Sequence, residues 1–481
     1  MSFHRLTTLE LSRPAIEFNG GCVWAWGDLL SAVASDVDII GNLTGQTVTV
    51  SALDNLNCLY SLLLAMHLGA NLRIVDDLEI GSGSSCKFHQ VIASRLAQVG
   101  DADFLGHTSY KVTRGFFINP EFSVELRTSG SSGQPKKVTI SAEALQFQGL
   151  AVSKALELSV LDRQLYYMPL NYIYGLSIVL TWLASSGSLV VSQCEVARPT
   201  QFFQQLIDKN ISVFSGVPYT YSLMVRWGLQ NLEASILRLL TQAGGKLKER
   251  DRNALNSRST DTPLVVMYGQ TEFGGRIAQI PIEEVQMERD YVGVPLNGIK
   301  IYIAEPDENG EGEIFICSPS MCDAANEFLE YNAYGGQIYY STGDYGRYND
   351  GKLFVSGRNK NFIKIGGQRI PALAIEQLIE TNFEGADCFI FSDSSRHERV
   401  LIAIFVSDPL PVASQAEMQR YLRKTLGDKS DLITCIERVP TKFVIFVGDV
   451  PRLPNGKPAL QEISQIMRNV KSGENSIHIR L

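Results

Sequence analysis

Cysteine is sparse and unpatterned in this chain of 481 residues: there are eight, and no two form a Cys-Xaa-Xaa-Cys pair. Eight scattered thiols do not make a disulfide framework, so reduced cysteines and a cytoplasmic setting are expected. Positive charge is also short. Lys and Arg number 43 against 51 Asp and Glu, a formal charge of −8, which argues against a nucleic-acid-binding surface as the main activity. A local basic patch for phosphates remains open. Long apolar runs are missing too: the most apolar early stretch, 56–68, contains Asn57, Ser61 and His67 and is too short to span a bilayer. It reads as a buried helix. The opening residues lack the apolar core of a signal peptide, and the chain shows neither internal repeats nor low-complexity tracts.

What is present is a soluble, globular balance, 45% hydrophobic and 20% charged. The length exceeds one ordinary core and predicts at least two domains. Through the first three-quarters, short apolar runs such as 188–192, 212–215 and 264–267 alternate with helical patterns, one of them 142–156 behind Ser141 as N-cap. This alternation predicts an α/β domain. After Gly357 the texture changes to strand-like runs at 388–391, 400–406 and 443–447, with helices expected at 374–380 and 415–426. A large N-terminal α/β domain over 1–358, a hinge at 359–361 and a small α+β domain over 362–481 is the expected division.

Phe122, Val124 and Leu126 alternate with polar residues and read as a strand. It runs into Thr128-Ser129-Gly130-Ser131-Ser132-Gly133-Gln134-Pro135-Lys136-Lys137, and a second strand, Val138-Thr139-Ile140, follows at once. Glycines admit an anion close to the backbone, while hydroxyls, N–H groups and lysines offer donors and positive charge. The loop therefore suits a triphosphate. A Walker loop is disfavoured, because that motif opens a helix with Gly-Lys-Ser/Thr and Pro135 with the β-branched run opposes one.

The loop resembles the phosphate-binding signature of the adenylate-forming superfamily, of the acyl-CoA synthetase or AMP-dependent acid ligase type. Ser131-Ser132 stands where the family more often has Thr-Thr. Four further segments match in the family's order. Tyr268-Gly269-Gln270-Thr271-Glu272 follows a continuous apolar run; the resemblance implies Tyr268 and Gly269 at adenine, Thr271 at the α-phosphate or acyl carboxylate, and Glu272 on Mg²⁺. Ser341-Thr342-Gly343-Asp344 is similar to the ribose-binding segment, with Asp344 accepting from both ribose hydroxyls. Gly357-Arg358-Asn359-Lys360, continuing to Gly366-Gly367, resembles the domain-junction motif: Arg358 at the ribose, Lys360 as hinge, Gly367 lining the thiol tunnel. Pro451 to Lys457 resembles the C-terminal signature whose lysine, here Lys457, is catalytic. Gln242-Ala243-Gly244-Gly245 and Gly293-Val294-Pro295 are weaker echoes, the former placing Gly244 near adenine, and Lys246 departs from the small residue usual beside it. Each segment alone is an ordinary turn. All five in one order are not.

The resemblance implies an adenylate-forming enzyme fold, ATP and Mg²⁺ as cofactors, and two half-reactions separated by rotation of the small domain. Met168 to Leu176 resembles the substrate-side motif, with Tyr172 gating the carboxylate and no Asp to pair an α-ammonium. An aryl or fatty acyl acid, not an α-amino acid, is thus expected, in an apolar pocket completed by 216–219 and 273–275. Arg276 is expected at the surface rather than against a second carboxylate. The acceptor thiol is CoA or the phosphopantetheine of an acyl carrier protein, which the sequence barely separates. A nucleotide-binding protein without catalysis is the remaining alternative, opposed by the joint presence of Glu272, Asp344 and Lys457.

Overall fold

The computed structural model describes residues 2–5, 11–18, 22–52, 54–75, 84–97, 115–128, 136–192, 198–228, 237–256, 262–284, 290–358, 362–365, 368–371, 376, 379–380, 386–393, 399–406, 441–452, 458–469 and 478–480. The chain divides into two compact units. The first is Met1–Ile301, Ile316–Tyr340 and Asp350–Leu353; the second is Tyr302–Phe315, Ser341–Asn349 and Phe354–Leu481.

In the first unit, parallel strands Pro14–Phe18, Ser188–Val191, Arg163–Tyr166, Val213–Gly216, Leu239–Gln242 and Leu264–Tyr268 lie side by side in that order. Their composition explains the arrangement. Ser188–Val191, Val213–Gly216 and Leu239–Gln242 are buried at every position, as strands covered on both faces must be. Helix Ile173–Ser185 is apolar on nearly all sides and correspondingly buried. Its Trp182 stacks on Trp26, 5.0 Å between ring centroids. Helix Ala142–Ala155 packs beside it and is capped by Ser141, whose hydroxyl accepts from the Ala144 N–H. The expected apolar helix is Asn55–Leu68, started by Asp54, whose carboxylate accepts from Leu56 and Asn57, and stopped by Gly69 in the left-handed region.

A second sheet of this unit orders Thr47–Ser51, Asn71–Val75, Ser123–Thr128 and Lys136–Ser141. The last two pair antiparallel, Thr128 opposite Lys136. They carry the two strands read from sequence around the Gly/Ser loop, and Phe122, Val124 and Leu126 are all buried.

In the second unit, Arg399–Val406 lies between antiparallel Asp387–Asp393 and parallel Thr441–Val447, with His478–Arg480 at the far edge. Helix Leu460–Asn469 covers this sheet with Ile463 and Met467 against Leu401, Phe405 and Phe446. Phe362–Ile365 and Gln368–Pro371 form a hairpin. The strands expected at 388–391, 400–406 and 443–447 are present; the helix expected at 415–426 lies outside the described residues. Among the described residues no helix is long and apolar enough to cross a membrane.

Candidate active site

In an open parallel sheet, ligands bind beyond the carboxyl ends of the strands. Four segments singled out from sequence leave the first unit's sheet there. Residues 167–172 follow Arg163–Tyr166, 217–219 follow Val213–Gly216, 243–246 follow Leu239–Gln242, and 269–272 follow Leu264–Tyr268. These strands run parallel in one sheet, so the segments share one edge. The Tyr172 hydroxyl closes on Gly244: a Cβ there would stand 2.3 Å from it, and φ at Gly244 is +88°. Both a tight approach and a left-handed backbone demand glycine at this point. Burial pushes the Tyr172 phenol up to about 12, with Arg276 pulling it the other way, so the group acts as a neutral hydroxyl.

The turn after Tyr268 folds back tightly. Ile277 N–H donates to the Tyr268 carbonyl at 2.8 Å, and Gly275 N–H to Gln270 at 2.9 Å, around the short 3₁₀ turn Thr271–Phe273. A Cβ at Gly269 would meet the Gly275 carbonyl at 2.0 Å, so the fold itself requires that glycine. Tyr268, Thr271 and Glu272 remain half-buried, open enough to meet a ligand.

Backbone bonds tie this turn to the hairpin that bears the Gly/Ser loop. Cys322 N–H donates to the Glu272 carbonyl (2.9 Å), and Asp323 N–H to Thr139 (2.8 Å). The Cys322 thiol is pushed up to about 12 by burial and then by the Glu272 and Asp323 carboxylates, which makes it inert. At the loop's entry, the buried Thr128 hydroxyl has no hydrogen-bond partner among the described residues. At its exit, the Lys136 ammonium sits over the Phe328 ring, 5.5 Å from the centroid. Ser129, Gly130, Ser131, Ser132 and Gly133 lie outside the described residues.

The donor set fits MgATP. A half-buried carboxylate suits Mg²⁺, which takes one or two protein carboxylates and completes its shell with phosphates and water. Among the described residues no cluster of three or more His, Cys, Asp or Glu forms a metal cage.

Asp344 belongs to the second unit, where Gly343, inside a strand, has a left-handed φ of +67° and Asp344 N–H donates to the Thr342 hydroxyl at 3.1 Å. The Asp344 residue is buried. Arg358 ends strand Lys352–Arg358. Lys360, Gly367 and Lys457 lie outside the described residues.

One expectation fails. Arg276 is not at the surface: it is 3% exposed. Its guanidinium lies 4.1 Å from the centroid of the Tyr174 ring, and its Nη1 donates to the Gly275 carbonyl at 2.7 Å. An arginine is ordinarily exposed. Instead Gln148, reaching from helix Ala142–Ala155, grips the Arg276 backbone from both sides and draws the residue inward: Nε2 donates to its carbonyl (2.8 Å) and Oε1 accepts from its N–H (3.1 Å). No sequence pattern around Arg276 reports this; Gln148 lies 128 residues away.

The fold is that of the adenylate-forming enzymes, a large α/β domain with a smaller one. Residues 126–323 match the family described as AMP-binding enzyme. The chain is 25% identical over 449 residues to a malonate–CoA ligase of Arabidopsis thaliana, covering 83% of this chain and 72% of that one. It is 26% identical to a 2-succinylbenzoate–CoA ligase of Lactococcus lactis, covering 72% of each. The O-succinylbenzoate coenzyme A synthetase of Bacillus subtilis, solved with AMP, superposes with a TM-score of 0.73 at 17% identity, over 97% of both chains. Its complex with ATP and magnesium gives 0.71 at 18% identity, over 95% and 97%. The resemblance to acyl-CoA synthetases therefore holds in sequence and in fold.

Proposed function

We propose that this chain is an AMP-forming acid–thiol ligase, which activates a carboxylic acid as acyl-AMP and passes the acyl group to coenzyme A. The observation that carries the reading is the shared strand-end edge, where Tyr172 meets Gly244 and where Tyr268, Thr271 and Glu272 remain accessible. The relatives named as CoA ligases support a carboxylic acid as substrate and CoA as acceptor; a carrier-protein phosphopantetheine is the acceptor to test beside it.

In this reading Thr128, the Gly/Ser loop and Lys136 hold the β- and γ-phosphates. Tyr268, Gly269 and Gly244 flank the adenine, and Asp344 and Arg358 hold the ribose. Glu272 binds Mg²⁺, whose charge neutralises the phosphate oxygens when bound. Tyr172 and Thr271 position the acyl carboxylate for in-line attack on the α-phosphate. Lys457 stabilises the negative charge that builds there as pyrophosphate leaves. The small domain, 362–481, then turns about Lys360, withdrawing Lys457 and bringing Gly367 to the thiol path, so that each half-reaction has its own assembled site.

Acid-dependent exchange of labelled pyrophosphate into ATP, followed by detection of acyl-CoA, tests the proposal. Exchange with at least one acid and a CoA thioester as product are expected. Exchange that yields a thioester only on a carrier protein would move the acceptor. Exchange with no acid across a broad panel would overturn the enzyme reading.

A further inference from the structure

Arg276 is a buried cation with no counter-ion among the described residues. Among the described residues no carboxylate pairs with it, and its Nε and Nη2, both buried, have no hydrogen-bond partner. Leaving such a group unpaired is costly. Removing a charge from water costs several kcal/mol, and the ring and hydroxyl of Tyr174 with one carbonyl return only part of it. Burial lowers its pKa, countered by Tyr174 and Tyr172, yet a guanidinium stays charged at neutral pH.

Its surroundings are those of a ligand-binding group rather than a structural anchor. The buried Tyr174 hydroxyl donates to the Thr241 carbonyl (2.9 Å) and shares a hydrogen bond with the Thr241 hydroxyl (2.8 Å), which in turn donates to Ser215 at 2.8 Å. Thr241 and Ser215 lie near the carboxyl ends of strands Leu239–Gln242 and Val213–Gly216, on the edge where Tyr172 meets Gly244. The Gln148 grip fixes the Arg276 backbone, so the charge is held in place before any ligand arrives. A planar fork with unused donors, so fixed, matches a carboxylate.

We propose that Arg276 is a specificity-determining subsite for a second anionic group on the acid, making the substrate a dicarboxylic acid whose distal carboxylate pairs with this guanidinium. The inference rests on the acid–thiol ligase reading and narrows its substrate class. It replaces the expectation of a purely apolar aryl or fatty acyl pocket.

The test compares acids of matched length in pyrophosphate exchange: butanoate with succinate, hexanoate with adipate, benzoate with phthalate, and the monomethyl ester of whichever diacid responds best. In the wild-type enzyme the diacid is expected to exceed both its monoacid and its half-ester in kcat/KM by about 30-fold or more, the scale of leaving one partner of a buried charge pair alone. Arg276→Met is expected to lose that discrimination, mostly through KM for the diacid, while KM for ATP is unchanged. Arg276→Lys is expected to restore part of it, and the half-ester comparison needs no variant at all. Equal or better use of monoacids by the wild type, or equal use of diacid and half-ester, would overturn the subsite while leaving the ligase reading intact. Exchange with no acid of either kind would overturn the ligase reading, and this inference with it.

Discussion

Substituting Gly244 by alanine tests whether the two segments meet as described, without assuming any activity. Two costs add. The residue sits at φ +88°, where an L side chain costs about 1–2 kcal/mol. The new Cβ also stands 2.3 Å from the Tyr172 hydroxyl, and overpacking a buried contact typically costs about 1–3 kcal/mol. Gly244→Ala should therefore destabilise the first unit by roughly 2–5 kcal/mol. Only the second cost depends on the hydroxyl. In a Tyr172→Phe background the nearest ring atom to the added Cβ is Cζ, at 3.6 Å, an ordinary contact. The same substitution should then cost only about 1–2 kcal/mol, leaving a coupling of about 1–3 kcal/mol between the two sites. All four tryptophans, Trp24, Trp26, Trp182 and Trp227, fall in the first unit. Tryptophan fluorescence in urea thus follows that unit's unfolding even where the two units do not unfold together. An equal cost of Gly244→Ala in both backgrounds would refute the contact and, with it, the joining of the Tyr172 and Gly244 segments at one site.

Three other outcomes are expected. Gly293→Ala should cost about 3 kcal/mol or more or prevent folding, because φ is +101° and its Cβ would lie 1.9 Å from the Gln279 backbone; soluble yield and the urea midpoint report it. Glu376, whose carboxylate accepts from Ile390 N–H, is raised to about 7 chiefly by burial. Its folded pKa exceeds its unfolded one, so the stability it contributes is present below about pH 4.5 and is lost as pH rises through about 7. The slope is at most about 1.4 kcal/mol per pH unit. Glu376→Gln should remove that fall in hydrogen-exchange protection of strand Asp387–Asp393, and an unchanged pH dependence would count against it. Lys457→Ala should cut adenylation by about 10²- to 10³-fold yet spare thioester formation from supplied acyl-AMP; equal loss of both steps would contradict the division of labour.

Much of the scaffold was legible because its strands are covered on both faces. The buried run at 264–267 and the helix behind Ser141 are local patterns, and local patterns are what a sequence displays. The phosphate hairpin was legible for the same reason, Phe122, Val124 and Leu126 alternating into the core. The site was readable only as a list of turns. Nothing in Tyr172 or Gly244 says that they touch, and the meeting depends on the parallel order of strands far apart in the chain. Arg276 was misread because an arginine is ordinarily exposed, and the residue that buries it sits on another element. The sorting of 302–315 and 341–349 with the second unit is likewise a matter of packing partners, which chain position does not encode.

The bonds from Cys322 to Glu272 and from Asp323 to Thr139 use main-chain atoms alone at both ends. They require an N–H at 322 and 323 and no particular side chain, so proline alone removes a donor outright, while burial of Cys322 limits the size tolerated there. The span between the acidic turn and the Gly/Ser-loop hairpin is thereby held by main-chain atoms, and the two positions that set it bear no recognisable signature.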